Sequence, residues 1–381
     1  MKPPERLLTS LPPDSRVLFI RLRSLGDTIL STPLYAALKT WRPDLRISTL
    51  VEKPYDELLY RNPDLESVFS LQVDESKQRS TIIARWQILR QIRKKRFDCC
   101  INLHGGTTSA YLTGMSGARY RIGLHDFRNS CCYNVRIKQP SPPSGTHWQS
   151  TRYQLEWLYR LGLEEGLAPP ARLFPDTNLQ SILETRLRRA GLPPSRPICV
   201  IQPSSRFPTK EWTDSGFAEI SDSLQNEYGY ATLLVGTNED ASKIRRVVGL
   251  CQTRPAAISN LTISELTWVL DQASLFVGND SGPTHMAAAL GVPVLVLFGS
   301  SDSRLWRPWE TIHEVVQNPF ECNPCPGYRC LVYNQPNCIL SIAPHQVKKA
   351  LKRLLKQTRK TGRNREAGAS RMDSREESIQ R

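Results

Sequence analysis

Four continuous apolar runs punctuate the second half of the chain: Ile198–Gln202, Thr232–Val235, Leu275–Val277 and Val292–Phe298. Helical patterns separate and follow them at Thr213–Glu227, Asn238–Cys251, Ser264–Gln272 and Thr284–Leu290. Strands that read apolar throughout are covered on both faces, and strands alternating with helices build a parallel sheet between helical layers. The first half carries a fainter version of the same alternation. Its strand candidates are Val17–Leu22, Arg46–Val51 and Asp98–Leu103, with helical stretches at Leu34–Trp41, Tyr55–Tyr60 and a basic amphipathic run, Thr81–Arg96. The 381 residues exceed what one hydrophobic core usually serves, so two such sheets mean two domains.

Proline marks the joints. Gln139–Gly145 (QPSPPSG) is a surface loop, while Ala168–Pro175 and Gly191–Pro197 flank a helix over Leu179–Ala190. The expected organisation is a disordered extension at 1–15, a domain at 16–178, a linker helix region at 179–197, a domain at 198–360 ending in a basic helix, and a disordered tail at 361–381. In doubly wound folds ligands bind outside the carboxyl ends of strands. Two such domains facing a central cleft is therefore the expected architecture, with the ligand between the strand ends of both sheets.

The net charge of +15 is partly localised. Pro344–Lys360 holds seven lysines and arginines and no acid, and Val347, Leu351, Leu354 and Leu355 form an apolar stripe along it. Positive charge favours a polyanion, whether nucleic acid, anionic lipid or a phosphorylated substrate. No nucleic-acid module is recognisable, and no apolar run approaches the length of a membrane span. The N-terminus shows no signal-peptide pattern, so the expectation is a reduced, cytoplasmic protein.

Chemistry concentrates in the turns after strands. After Val17–Leu22, Gly26 permits a tight turn and Asp27 follows it, placed to take a proton from a hydroxyl; the bland alternative is that Asp27 caps its own turn. In LFVGNDSGPTHMAAAL, Gly282-Pro283 opens a helix whose first-turn N–H groups and positive dipole end form a phosphate site. Asp280, Ser281, Gly282 and Thr284 surround that opening; Asp280 either bonds ligand hydroxyls or caps the helix. His285 reads as a packed supporting group rather than a catalyst. After Ile198–Gln202 come Ser204, Ser205 and Lys210, suited to a departing diphosphate, and after Thr232–Val235 comes Glu239, suited to the hydroxyl pair of a ribose.

Cys322, Cys325, Cys330 and Cys338 form a spread cluster in a proline-rich loop. A structural zinc site usually has two close pairs. The wide second interval makes packing thiols or a conditional disulfide the first reading, with a metal site the weaker one. No Walker loop, no dinucleotide-binding glycine motif opening a helix and no H-E-x-x-H pattern is present, which removes the main supports of kinase, dehydrogenase and zinc-protease readings.

Together, RVLFIRLRSLGDTILSTPLYAALKTWRPD, IQPSSRFPTKEW, LLVGTNED, VGNDSGPTHMAAALGVPVLVLFGSSDSRLWRPW and CNPCPGYRC resemble the bacterial ADP-heptose:lipopolysaccharide heptosyltransferases, glycosyltransferase family 9. The resemblance implies a GT-B fold, with an N-terminal acceptor domain and a C-terminal nucleotide-sugar domain. It implies inverting, metal-independent transfer from ADP-L-glycero-D-manno-heptose to a lipid-linked acidic sugar, with no cofactor. Asp27 becomes the general base; Ser204, Ser205 and Lys210 donor-phosphate contacts; Glu239 the ribose contact; and Asp280 the heptose contact. It implies an enzyme on the inner face of the cytoplasmic membrane. The basic segment Pro344–Lys360 is the expected contact with an anionic membrane surface, its stripe facing protein or membrane and Lys348, Lys349, Lys352 and Arg353 facing anionic lipid, and no nucleic acid is expected as partner. Alternatives are a non-catalytic nucleotide-sugar or polyanion binding protein of the same fold, a transferase using another sugar, and a GT-B nucleotide-sugar epimerase.

Overall fold

A computed structural model of the chain describes residues 6–73 and 78–359. Residues group into two compact units: one takes the chain to Leu183 with Leu261–Asp271 and Arg304–Glu310, and the other takes the rest. The division falls inside helix Gln180–Arg189.

The first unit contains strands β1 (Arg16–Ile20), β2 (Arg46–Glu52), β3 (Ser67–Leu71), β4 (Cys99–Asn102), β5 (Tyr120–Leu124) and β6 (Val135–Ile137). They form one parallel sheet in the order β3-β2-β1-β4-β5-β6. The second unit contains β7 (Ile198–Gln202), β8 (Ala231–Val235), β9 (Ala256–Ile258), β10 (Leu275–Asn279), β11 (Val294–Leu297) and β12 (His313–Val316), in the order β12-β11-β10-β7-β8-β9. Counted within each unit, both sheets have the doubly wound order 3-2-1-4-5-6. The order reverses between β1 and β4 in one unit and between β7 and β10 in the other, which opens a crevice at those strand ends.

The four continuous apolar runs of the second half become β7, β8, β10 and β11, and these strands, like β1 of the first unit, are buried along nearly their whole length. Val17 sits between Ile47 and Cys99, and Phe276 between Val200 and Val294. Strands β3, β5, β6, β9 and β12 were not anticipated. They lie toward the sheet edges and mix buried with partly exposed positions, which breaks the continuous apolar signal.

Two expectations need correction. Residues 6–15 are not disordered: Leu7, Leu8 and Leu11 are buried, the Leu8 N–H donates to Leu161 O at 2.8 Å, and Arg42 donates to the carbonyls of Leu8 and Leu11. Three leucines and a borrowed arginine anchor a segment too short to show periodicity. Gly26 does not make a tight turn but lies in a short helix, Leu25–Leu30, that continues into Thr32–Trp41. The extension's residues 1–5 and the tail 361–381 fall outside the described residues.

The basic helix over 344–359 docks by its apolar stripe. Val347, Leu351, Leu354 and Leu355 join the core of the second unit with Phe217, Ile220 and Leu224. Lys348 pairs with Glu219 at 2.9 Å and Arg353 with Glu314 at 2.7 Å. The stripe therefore faces protein. Among the described residues no helix is long and apolar enough to cross a membrane.

Candidate active site

In the second unit, three predicted ligand turns follow β7, β8 and β10, which are adjacent in the sheet. The pair β7 and β10 flanks the switch point. Pro208–Lys210 makes a single 3-10 turn, and Lys210 Nζ donates to Asp280 Oδ2 at 2.7 Å. The aspartate side chain is 6% exposed and the lysine 21%. Burial would penalise an isolated carboxylate, and the ammonium compensates it. A buried salt bridge with one partly open end can exchange partners with an incoming anion.

Packing fixes the lysine's turn. A Cβ on Gly299, just past β11, would stand 2.2 Å from Thr209 O, so only glycine lets the two segments approach. Thr209 Oγ1 also meets Ser300 Oγ at 3.1 Å and donates to Gly327 O.

Helix Gly282–Ala289 begins beside this pair. Ser281, not Asp280, is its N-cap residue, Pro283 lies in its first turn, and Thr284 Oγ1 donates back to Asn279 O at 2.6 Å. The capping alternative for Asp280 thus gives way to pairing with Lys210. Gln202, at the end of β7, joins the two loops: its Nε2 donates to Ser204 Oγ at 2.9 Å, and its Oε1 accepts from Ser281 Oγ at 3.1 Å. Asn279 does the same at backbone level, donating to Pro203 O and accepting from Trp212 N–H. Ser204 is buried and serves this bridge, whereas Ser205 is partly exposed and its N–H donates to Glu211 Oε1 at 2.8 Å. Lys243 Nζ lies 3.1 Å from Glu211 Oε2, adding a cation that the sequence reading missed. His285 is buried within the helix, as expected of a packed group. Glu239 is exposed on the loop after β8; among the described contacts none joins it to Lys210 and Asp280.

Cys322, Cys325, Cys330 and Cys338 line one cavity together with Thr209 and Ser300, and all are free thiols. Among the described residues no three metal-ligating side chains converge closely enough to hold an ion.

In the first unit, Asp27 is the third residue of helix Leu25–Leu30. Its Oδ2 accepts from Ser24 N–H at 3.2 Å and from Ser24 Oγ at 3.1 Å, so it does cap its turn. It also does more: Oδ1 pairs with the Arg21 guanidinium, which donates in addition to Leu103 O at the end of β4. Arg21 thus ties the residues after β1 to those after β4, across the switch point. A carboxylate offers about four lone-pair positions, and three donors occupy Asp27. By this count one position is not used within the protein. His104 follows β4 in the same crevice; burial first, then the Arg21 and Arg23 guanidinium groups, push its imidazole down to about 4. It is neutral at physiological pH.

Comparison with known proteins adds the following. The family model of glycosyltransferase family 9 (heptosyltransferase) matches residues 85–335. The chain is 28% identical over 293 residues to a lipopolysaccharide heptosyltransferase 3 of Escherichia coli, covering 76% of this chain and 84% of that protein. Its fold is that of a glycosyl transferase family 9 structure from Veillonella parvula DSM 2008, with a TM-score of 0.76 at 21% identity over 90% of this chain and 97% of the other. It is also that of the E. coli ADP-heptose lps heptosyltransferase II structure, with a TM-score of 0.73 at 21% identity over 90% and 99% of the two chains.

Proposed function

The chain belongs to glycosyltransferase family 9, the heptosyltransferases, and from that premise we propose that it moves heptose from ADP-L-glycero-D-manno-heptose onto a sugar of the lipopolysaccharide inner core. The relative named lipopolysaccharide heptosyltransferase 3 and the solved ADP-heptose heptosyltransferase support this donor and acceptor class. The observation that carries the reading is the Lys210–Asp280 pair at the β7/β10 switch point, beside the N-terminus of helix Gly282–Ala289.

In the proposed reaction the acceptor oxygen attacks the anomeric carbon from the face opposite ADP, inverting its configuration. The bond from that carbon to the diphosphate oxygen breaks with its electron pair, and the hydroxyl proton passes to Asp27. Lys210 and the helix N-terminus stabilise the charge that grows on the leaving diphosphate, without a metal ion. Asp280 accepts from heptose hydroxyls as Lys210 turns to the phosphate. Ser205 contributes to phosphate binding, and Glu239 closes on the ribose. The lipid-linked acidic acceptor makes the enzyme peripheral to the inner face of the cytoplasmic membrane.

The test is ADP release from ADP-heptose, with and without core glycolipid lacking its outer heptose, and with EDTA present. Acceptor-dependent release that survives chelation, with an inverted anomeric linkage in the product, supports metal-independent, inverting transfer to that acceptor. Release without acceptor, or loss on chelation restored by Mg²⁺, contradicts transfer or its metal independence respectively.

A further inference from the structure

Helix Gln78–Lys95 of the first unit has an outward face with a marked division along its axis. Ile88, Leu89 and Ile92 enter the core with Leu18, Phe69 and Leu112. The opposite face opens with Ile82, Ile83 and Trp86, which are 47%, 56% and 57% exposed. It closes with Arg90, Arg93 and Lys94, all exposed. At 100° per residue these six positions share one side of the helix, the apolar three on its first turns and the cations on its last. The helix sequence, QRSTIIARWQILRQIRKK, contains no acid.

Three adjacent large apolar side chains left in water are unusual on a soluble surface and mark an interaction site. The neighbouring cations select its partner. A protein partner would have to present an apolar pocket bordered by acids, whereas an anionic bilayer presents both chemistries together: acyl chains for Ile82 and Ile83, an interfacial layer suited to indole, and phosphate for Arg90, Arg93 and Lys94. We propose that this face docks the protein on an anionic phospholipid surface, with the Ile82–Trp86 end inserted and the Arg90–Lys94 end at headgroup level.

This moves the membrane contact away from the C-terminal helix, whose apolar stripe is consumed by the core and two of whose cations are paired with Glu219 and Glu314. It deepens the reading of a membrane-associated transferase and rests on that reading for its purpose, but not for its test.

The experiment is flotation of the full chain with phosphatidylcholine vesicles, with or without phosphatidylglycerol, at low and high salt. Wild type is expected to float with phosphatidylglycerol vesicles, less so at high salt, and to remain behind with phosphatidylcholine alone. The variant R90E/R93E/K94E should lose on the order of a hundredfold in partitioning, because each cation contributes several-fold. The variant I82S/I83S/W86S should lose at least about tenfold. ADP binding by both should match wild type, which separates failure of docking from misfolding and from failure of the donor-site reading. K349E/K352E/K356E, on the C-terminal helix, should retain most of the binding. Wild-type failure to float, variants that float like wild type, loss confined to the C-terminal variant, or a fall in solution mass on I82S/I83S/W86S (marking an interface between copies) each overturns the proposal.

Discussion

Lys210 Nζ stands 2.7 Å from Asp280 Oδ2, joining two loops that lie 70 residues apart in the chain and meet only because β7 and β10 are neighbours. Each residue is therefore the other's electrostatic partner before it can be a ligand contact. Lys210→Ala leaves a carboxylate buried without its cation and should destabilise the protein by on the order of 3 kcal/mol. Adding Asp280→Asn should recover much of that stability while ADP-heptose affinity stays low. Denaturant unfolding and donor titration of both variants check this; a double variant as unstable as K210A would show that the pair is not energetically coupled.

Asp27→Asn preserves shape and removes the base. Transfer should fall by about 10²–10⁴ with donor affinity near wild type. Asp27 also caps helix Leu25–Leu30 and pairs with Arg21, so thermal unfolding belongs beside the kinetics. A variant that keeps more than about a tenth of wild-type kcat cannot have lost its general base.

Gly299→Ala should act at a distance. The added methyl meets a backbone carbonyl, Thr209 O, that has no rotamer by which to escape. The Pro208–Lys210 turn must shift, and a cost of about 1–3 kcal/mol is expected together with weaker donor binding. Unchanged donor affinity would show that Lys210 does not depend on this contact.

His104 gives a pH signature. Its folded value, about 4, lies below the ordinary 6.5, because burial and the nearby Arg21 and Arg23 oppose its protonation. The unfolded chain therefore binds the extra proton first as pH falls. Stability contributed by the neutral imidazole is complete above 6.5 and is lost progressively from there down to about 4. His104→Gln should flatten that part of the stability profile. Parallel wild-type and variant profiles between these values would remove His104 as the source.

What the sequence disclosed follows from physics. Central strands covered on both faces write themselves as apolar runs, so β1, β7, β8, β10 and β11 were legible; three-residue β6 and β9, with one exposed position each, were not. The positions of Asp27, Lys210 and Asp280 just past central strands were legible because turns after apolar strands can be placed from the strands themselves. Arg21, His104 and Gln202 were missed, although each had a signal: a charged or polar side chain at or just beyond the end of an apolar strand. Such a residue must find partners there, and Arg21 and Gln202 find them in the neighbouring loops. The leucines of residues 6–15 gave too little periodicity to read.

The most direct measurement of the central claim is mass spectrometry of the core oligosaccharide from cells lacking this protein, complemented with wild type or with Asp27→Asn. Heptose transfer predicts a core short of one heptose in the deletion strain, restored by wild type and not by the aspartate variant. A core of unchanged mass, or full restoration by Asp27→Asn, would contradict it.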